Sequence, residues 1–319
     1  MNRRHFAVQL LLAVFVLAAA NVVVQRMARN SNPRQLLRAS AAAVPATHLF
    51  LGNSTMAAGI DTDAFAIAHP QSQALNLGLG SSSPVEHYLI YLQQQKHKSA
   101  AIYYGFIDTQ MTDSLDGSWT ALIGNRAMAY YVSRDVAERF YAADDPLRVL
   151  SMRLASRIPL LVERHTIWAK VERLRRFLGE IGMPKKETNQ FGRAEDFALL
   201  EAAPEEFRDL CKQVVAERMP LAAPIAALLA DARQKRSSIT IVEMPLPTAH
   251  RRCYYEMPEW IAYRAYVQQL IHEAGGRYIN AAVWIADDGF TDRLHLNTRG
   301  ARDFSSRLAG DSVKASLSP

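Results

Sequence analysis

The chain has 319 residues, of which 49% are hydrophobic and 21% charged, a composition that supports a sizeable core and excludes a disordered chain. A net charge of +6 and a pI near 9.3 could suggest nucleic acid, but much of the basic excess flanks an apolar amino terminus or falls between Arg148 and Lys186. Such a surface suits an anionic polymer or lipid headgroups, and no nucleic-acid partner is expected.

In chain order, Arg3 and Arg4 precede an apolar run from Phe6 to Val24 that only Gln9 and Asn21 interrupt. At about 1.5 Å per residue this run nearly matches the hydrocarbon core of a bilayer. Ala18-Ala19-Ala20 leave a cleaved signal peptide open, yet Val22-Val23-Val24 continue the run, and its length favours an uncleaved anchor. The basic amino-terminal flank is expected to stay in the cytoplasm, against the weight of Arg26 and Arg29. The expected location is therefore the inner (cytoplasmic) membrane, single-pass, with the domain extracytoplasmic. Residues 1–30 form the anchor, 31–44 a tether with some helical tendency, and 45–319 one domain with a helical insertion at about 110–235.

Strands are expected at about 46–51, 73–79, 100–108, 237–246 and 277–284, where short apolar runs rich in β-branched or aromatic residues end in turn signals. Helices are expected over 85–98, in the crossover near 219–234, over 259–276 with Gly275 and Gly276 closing it, and after Asn297. Strands alternating with helices predict an α/β fold around a parallel sheet covered on both faces. The insertion carries a helical pattern with Ile167, Val171, Leu174 and Leu178 on one face and Lys170, Arg173, Arg175 and Arg176 away from it. That pattern fits a solvated basic face, or docking onto a membrane or an anionic glycan. Cys211 and Cys253 are too few for a disulfide framework, leaving one bridge or two thiols open, and no metal-ligand spacing accompanies them. No cofactor is expected.

In a parallel sheet, ligands bind beyond the carboxyl ends of the strands. The first strand ends there in Gly52-Asn53-Ser54, with a helix start to supply unpaired backbone N–H groups beside the serine. A serine hydroxyl needs a base, and Asp292 and His295 stand three residues apart near the carboxyl terminus, where a turn can bring the carboxylate to one imidazole nitrogen. His69 and His87 are lesser candidates. Tyr254, Tyr255 and Trp260 could stack on sugar, with core packing the default for two of the three, and Ser81-Ser82-Ser83 reads as a cap for the next helix.

"LGNST", "LNLGLGSSS" and "DRLHLN" together resemble the blocks of the SGNH (GDSL-like) hydrolase superfamily, over roughly residues 45–110 and 236–310. The resemblance implies a flavodoxin-like three-layer sandwich with about five parallel strands. It also implies Ser54 as nucleophile, His295 as base, Asp292 as its orienting residue, and an oxyanion hole from the backbone N–H groups of Ser54 and Gly80, preferred over Gly78. Asn53 stands where Asp is commoner, and Gly105-Phe106-Ile107-Asp108 stands where Gly-x-Asn-Asp is usual. That departure resembles the membrane-anchored SGNH-like proteins of alginate acetylation and teichoic-acid D-alanylation. It implies acyl transfer or ester hydrolysis on a cell-envelope or exported polysaccharide, with a multipass acyl-exporting membrane protein as a candidate partner. Asn53, Gly78, Asp108 and Glu243 are candidate pocket residues. A plain carboxylesterase or deacetylase and a non-catalytic envelope assembly factor are the alternatives.

Overall fold

The computed structural model describes residues 3–29, 31–41, 46–94, 101–112, 133–142, 145–163, 170–171, 174–175, 178–179 and 203–317. In chain order the helices are α1 (Arg3–Ala28), α2 (Asn32–Ala41), α3 (Ser54–Gly59), α4 (Thr62–Ala68), α5 (Pro84–Gln94), α6 (Arg134–Ala142), α7 (Pro146–Ala155), α8 (Pro159–Val162), α9 (Glu205–Ala216), α10 (Ala223–Gln234), α11 (Pro258–Glu273) and α12 (Thr298–Leu317). The strands are β1 (His48–Gly52), β2 (Ala74–Asn76), β3 (Ala101–Phe106), β4 (Ile239–Glu243) and β5 (Arg277–Asn280). The chain divides into two compact units, Met1–Ala39 with Gly117–Pro184 and Ser40–Asp116 with Lys185–Pro319.

In the second unit, the described residues form a five-stranded, all-parallel sheet in the order β2-β1-β3-β4-β5. This is the flavodoxin-like strand order, and it matches the expected fold class. Side chains alternate across the sheet, so Tyr104 and Glu243 face α5 and α11 while Phe50 and Tyr103 face α4. The three central strands β1, β3 and β4 are buried nearly throughout, which is why they read as apolar runs without alternation.

The strand ends differ from expectation for local reasons. Strand β5 stops at Asn280, whose side-chain oxygen accepts the Ala282 N–H at 3.1 Å and turns the chain. Strand β2 is short, but its chain keeps bonding to β1 beyond Asn76, with Leu77 N–H to the Phe50 carbonyl at 2.8 Å and Leu79 N–H to the Gly52 carbonyl at 2.9 Å. That continuation brings the Gly78-Leu79-Gly80 segment alongside the end of β1.

In the first unit, α1 contains a 24-residue stretch, His5–Ala28, long and apolar enough to cross a membrane or serve as a signal anchor. The tether segment is helical over α2, and residues 42–44 lie outside the described residues. Of the basic helical pattern, Ile167, Arg173 and Arg176 also lie outside them, while Val171, Leu174 and Leu178 are exposed.

Candidate active site

The site is built where three chain segments meet beyond the carboxyl ends of the strands. Gly52 ends β1 at φ +150°, and a Cβ there would lie 2.6 Å from the Gly105 carbonyl oxygen of the neighbouring strand, so only glycine fits. Asn53 then caps α3, its side-chain oxygen accepting the Thr55 N–H at 3.0 Å and the Thr55 hydroxyl at 2.8 Å. Ser54 is the first residue of that helix and is half-buried, and its N–H has no intrahelical acceptor.

Ser54 Oγ lies 2.8 Å from His295 Nε2, and His295 Nδ1 lies 2.8 Å from Asp292 Oδ2 and 2.9 Å from Oδ1. Burial alone would raise the Asp292 carboxyl. Bonds from the His295 ring and from the backbone N–H groups of Leu294 and His295 outweigh it and hold the group below the usual carboxylate range. An ionised carboxylate only accepts, so His295 carries its proton on Nδ1 and offers Nε2 as the acceptor for the serine hydroxyl. His295 and Asp292 are both buried, which strengthens each of these contacts relative to water.

The loop bearing Asp292 and His295 is held from several sides. Thr291 N–H bonds the His295 carbonyl at 2.9 Å, and Phe290 pairs with Leu296 as an isolated antiparallel bridge. Asn297 does two jobs, donating to the Asp288 carbonyl at 2.8 Å and accepting the Gly300 N–H at 2.9 Å as the cap of α12. His250 contributes a tie that the sequence does not reveal, its Nδ1 donating to the Arg293 carbonyl at 2.6 Å across 43 positions of chain. Burial lowers the His250 pKa, and the carbonyl acceptor requires a proton on Nδ1.

A second unforeseen residue is Asn76. Its amide nitrogen donates to the carbonyls of Ala57 at 3.1 Å, Ile60 at 3.2 Å and Met56 at 3.4 Å, and its oxygen accepts the Gly78 N–H at 3.0 Å. This clamp fixes the glycine segment against α3, so closely that a Cβ on Gly78 would lie 2.4 Å from Ala57 N. The Gly78 N–H is thereby committed to Asn76. An asparagine at a strand end two residues before a glycine is the only sequence signal for the clamp.

The other candidates resolve individually. Asp108 caps the turn after β3, accepting the Gln110 N–H at 3.1 Å, and its charge helps to push up the Tyr104 and Tyr255 hydroxyls behind their burial. Glu243 is not a pocket wall: it is fully buried and bonded to Trp260 Nε1, Tyr278 OH and Arg264 Nε and Nη2, the latter two at 2.6 and 2.7 Å. The strand end that carries it turns the carboxylate into the core, where the guanidinium compensates its charge. His87 is also interior, hydrogen-bonded to Ser82 at 2.6 Å and Tyr104 at 2.9 Å, and His69 packs on His48 and Phe65. At the start of α5 the Ser83 N–H and hydroxyl both donate to the Glu86 carboxylate, the former at 2.7 Å. Tyr255 and Trp260 are buried, leaving Tyr254 partly accessible. Cys211 and Cys253 are both free thiols.

A cavity of about 770 Å³ opens at the opposite, amino-terminal ends of the strands, lined by His48, Tyr103, Gln268 and Arg277 among others. It does not adjoin Ser54, and the candidate site is located by the hydrogen-bonded contacts of Ser54, His295 and Asp292. Among the described residues, no group of three or more His, Cys, Asp or Glu side chains is placed to hold a metal ion.

No family model and no curated protein matches the chain. Among solved structures, it is similar to a protein provisionally described as a platelet activating factor from Streptococcus pneumonia, with a TM-score of 0.37 and 11% identity over 96% of this chain and 98% of that one. It is also similar to a protein provisionally described as an arylesterase from Agrobacterium tumefaciens str. C58, with a TM-score of 0.35 and 10% identity over 84% of this chain and 99% of that one. Similarities this remote add no weight to the site, whose chemistry rests on its own geometry.

Proposed function

We propose that the protein is a serine acyl-transfer enzyme, anchored by α1 and facing the extracytoplasmic side of the inner membrane. The observation that carries this reading is the unbroken chain of contacts from Ser54 Oγ to His295 Nε2 and from His295 Nδ1 to Asp292. His295 takes the serine proton as Oγ bonds the acyl carbon of an ester or thioester. The tetrahedral oxyanion is met by the N–H groups of Ser54 and Gly80, each such donor being worth roughly 3 to 4 kcal/mol. The leaving oxygen or sulfur takes the proton back from His295 as its bond to the acyl carbon breaks, leaving an acyl-enzyme. A sugar hydroxyl or water then repeats the sequence in reverse, its proton passing to His295 and its oxygen taking the acyl group from Ser54.

The acyl groups are proposed to be O-acetyl groups of a cell-envelope or exported polysaccharide. Anchoring favours transfer over hydrolysis because it holds the site at the surface where such polymers emerge. A non-catalytic assembly factor has no use for a serine, a histidine and a carboxylate held in proton-transfer register, which counts against that alternative.

Intact-protein mass spectrometry of the detergent-solubilised full chain tests the proposal, using a serine-directed phosphonate and, separately, a small acetyl ester. The expected result is one adduct mapping to Ser54 that is absent from His295→Ala. Adducts that persist in His295→Ala, or that map elsewhere, remove this triad from the mechanism.

A further inference from the structure

Helix α7 carries an apolar stripe that faces outward. Leu147, Leu150 and Leu154 are 76, 53 and 54% exposed, and at 3.6 residues per turn they fall within about 60° of the helix circumference. The opposite face is already used: Met152 is buried there, α6 packs alongside with Ala137, Phe140 and Tyr141 buried, and Arg153 bonds Glu138 at 2.8 Å. Arg148 and Arg153 flank the stripe on its two sides. A second stripe of the same kind, Val171, Leu174 and Leu178, lies exposed further along the same unit beside Lys170 and Arg175. A water-facing helix does not normally present three leucines in register.

The location of this stripe along the anchor decides what covers it. Asn21 interrupts the apolar run of α1 three residues before its end, and its side-chain oxygen accepts the Leu160 N–H at 2.8 Å. That N–H is one of the donors left without an intrahelical partner at the start of α8, and a bilayer offers no water to satisfy it. Arg34, just beyond α1, closes a second tie to Glu163 at 2.7 Å, and Val24 and Ala28 are buried. At about 1.5 Å per residue, Asn21 lies about 5 Å inside the end of the run, which is the depth at which interfacial helices seat their apolar faces. Helix α8 is therefore fixed at the acyl boundary, and α7 ends a few residues before it.

From this we propose that α7 is an interfacial helix, its Leu147–Leu150–Leu154 face immersed in the outer acyl boundary of the bilayer that α1 spans. The inference rests on the anchored reading of α1. Because Arg148 lies 3.5 Å from Asp145 and Arg153 is paired with Glu138, apolar burial and not anionic lipid is the main attraction. Immersion would make the insertion a second point of attachment, so the first unit is held on the membrane as a platform and not swung on a single tether.

The test uses the full chain reconstituted into phosphatidylcholine bilayers with and without brominated acyl chains. Cys253→Ser leaves the buried Cys211 as the remaining native thiol, and an environment-sensitive fluorophore is attached at Leu12→Cys, Leu150→Cys, Leu154→Cys or Ile67→Cys in turn. Ile67 is 80% exposed in the other unit and serves as the aqueous control. Quenching and a blue shift at 12, 150 and 154 but not at 67 are expected. Quenching at 12 without quenching at 150 and 154 overturns the proposal and assigns the stripe to a protein partner or a second copy. Equal quenching at 67 and 150 overturns it in favour of general adsorption, and no quenching at 12 removes the anchored reading and this inference together. Phosphonate labelling of Ser54 is scored on the same samples, so a failure of the chemistry is read separately from a failure of docking.

Discussion

Asp292 serves two sets of bonds at once, and the two respond differently to substitution. Its Oδ1 accepts the backbone N–H groups of Leu294 and His295 at 2.9 and 2.7 Å, which shape the turn, while both oxygens face the imidazole. In Asp292→Asn, the amide oxygen can keep the backbone bonds, but its NH2 group then meets Nδ1 and forces the proton onto Nε2. The serine would face a donor where it needs an acceptor. Acylation of Ser54 by the acetyl ester should therefore fall about 10²- to 10⁴-fold with the fold retained, whereas His295→Ala should lose at least as much. Stopped-flow acylation beside circular dichroism checks both halves, and near-normal acylation in Asp292→Asn would show that its charge and tautomer control are not used.

At the scale of elements, the same distinction separates what the sequence announces from what it conceals. The five strands are legible because each is an apolar run closed by a turn former, and the triad is legible because Gly-Asn-Ser at a strand end and Asp-x-x-His before a capped helix are local patterns. Asn76 and His250 are not, since the carbonyls they bond lie 16 to 20 and 43 residues away, and only the glycine two residues after Asn76 hints at either tie. Glu243 misleads for the opposite reason: it stands at a strand end like a site residue, yet Arg264 and Trp260 on α11 draw it inward. The Asn76 clamp makes a specific demand. Asn76→Ala leaves the Gly78 N–H and the carbonyls at the end of α3 without their partner, a loss of about 1 to 3 kcal/mol that urea denaturation should register. Phosphonylation of Ser54 should slow as well, because the glycine segment and α3 lose their common anchor. Unchanged stability and rate in this variant would mean that backbone packing alone sets the oxyanion geometry.

For the whole molecule, three buried groups besides His250 act on folding in the same direction as pH falls. Burial pushes His87 down to about 3, and burial together with the charge of His69 pushes His48 down to about 4, while Asp292 is held below the usual carboxylate range. In each case the folded pKa is depressed, so the unfolded chain binds protons that the folded chain refuses. Stability from the two histidines is fully present above about pH 6.5 and is lost as pH falls toward their folded values, and that from Asp292 follows below about pH 4. His87 makes the larger contribution of the two, its displacement corresponding to roughly 5 kcal/mol across that window. It is buried with its ring bonded to Ser82 and Tyr104, so protonation would break a satisfied pair as well as strand a charge. His87→Gln keeps polar atoms within reach of both neighbours but removes the titration. Urea midpoints of the solubilised full chain, followed by tryptophan fluorescence from pH 8 to about pH 4, should fall steeply for the native protein and more shallowly for His87→Gln. Parallel slopes would show that His87 is not displaced, and would leave His48 and His250 to carry the acid sensitivity between neutral pH and pH 4.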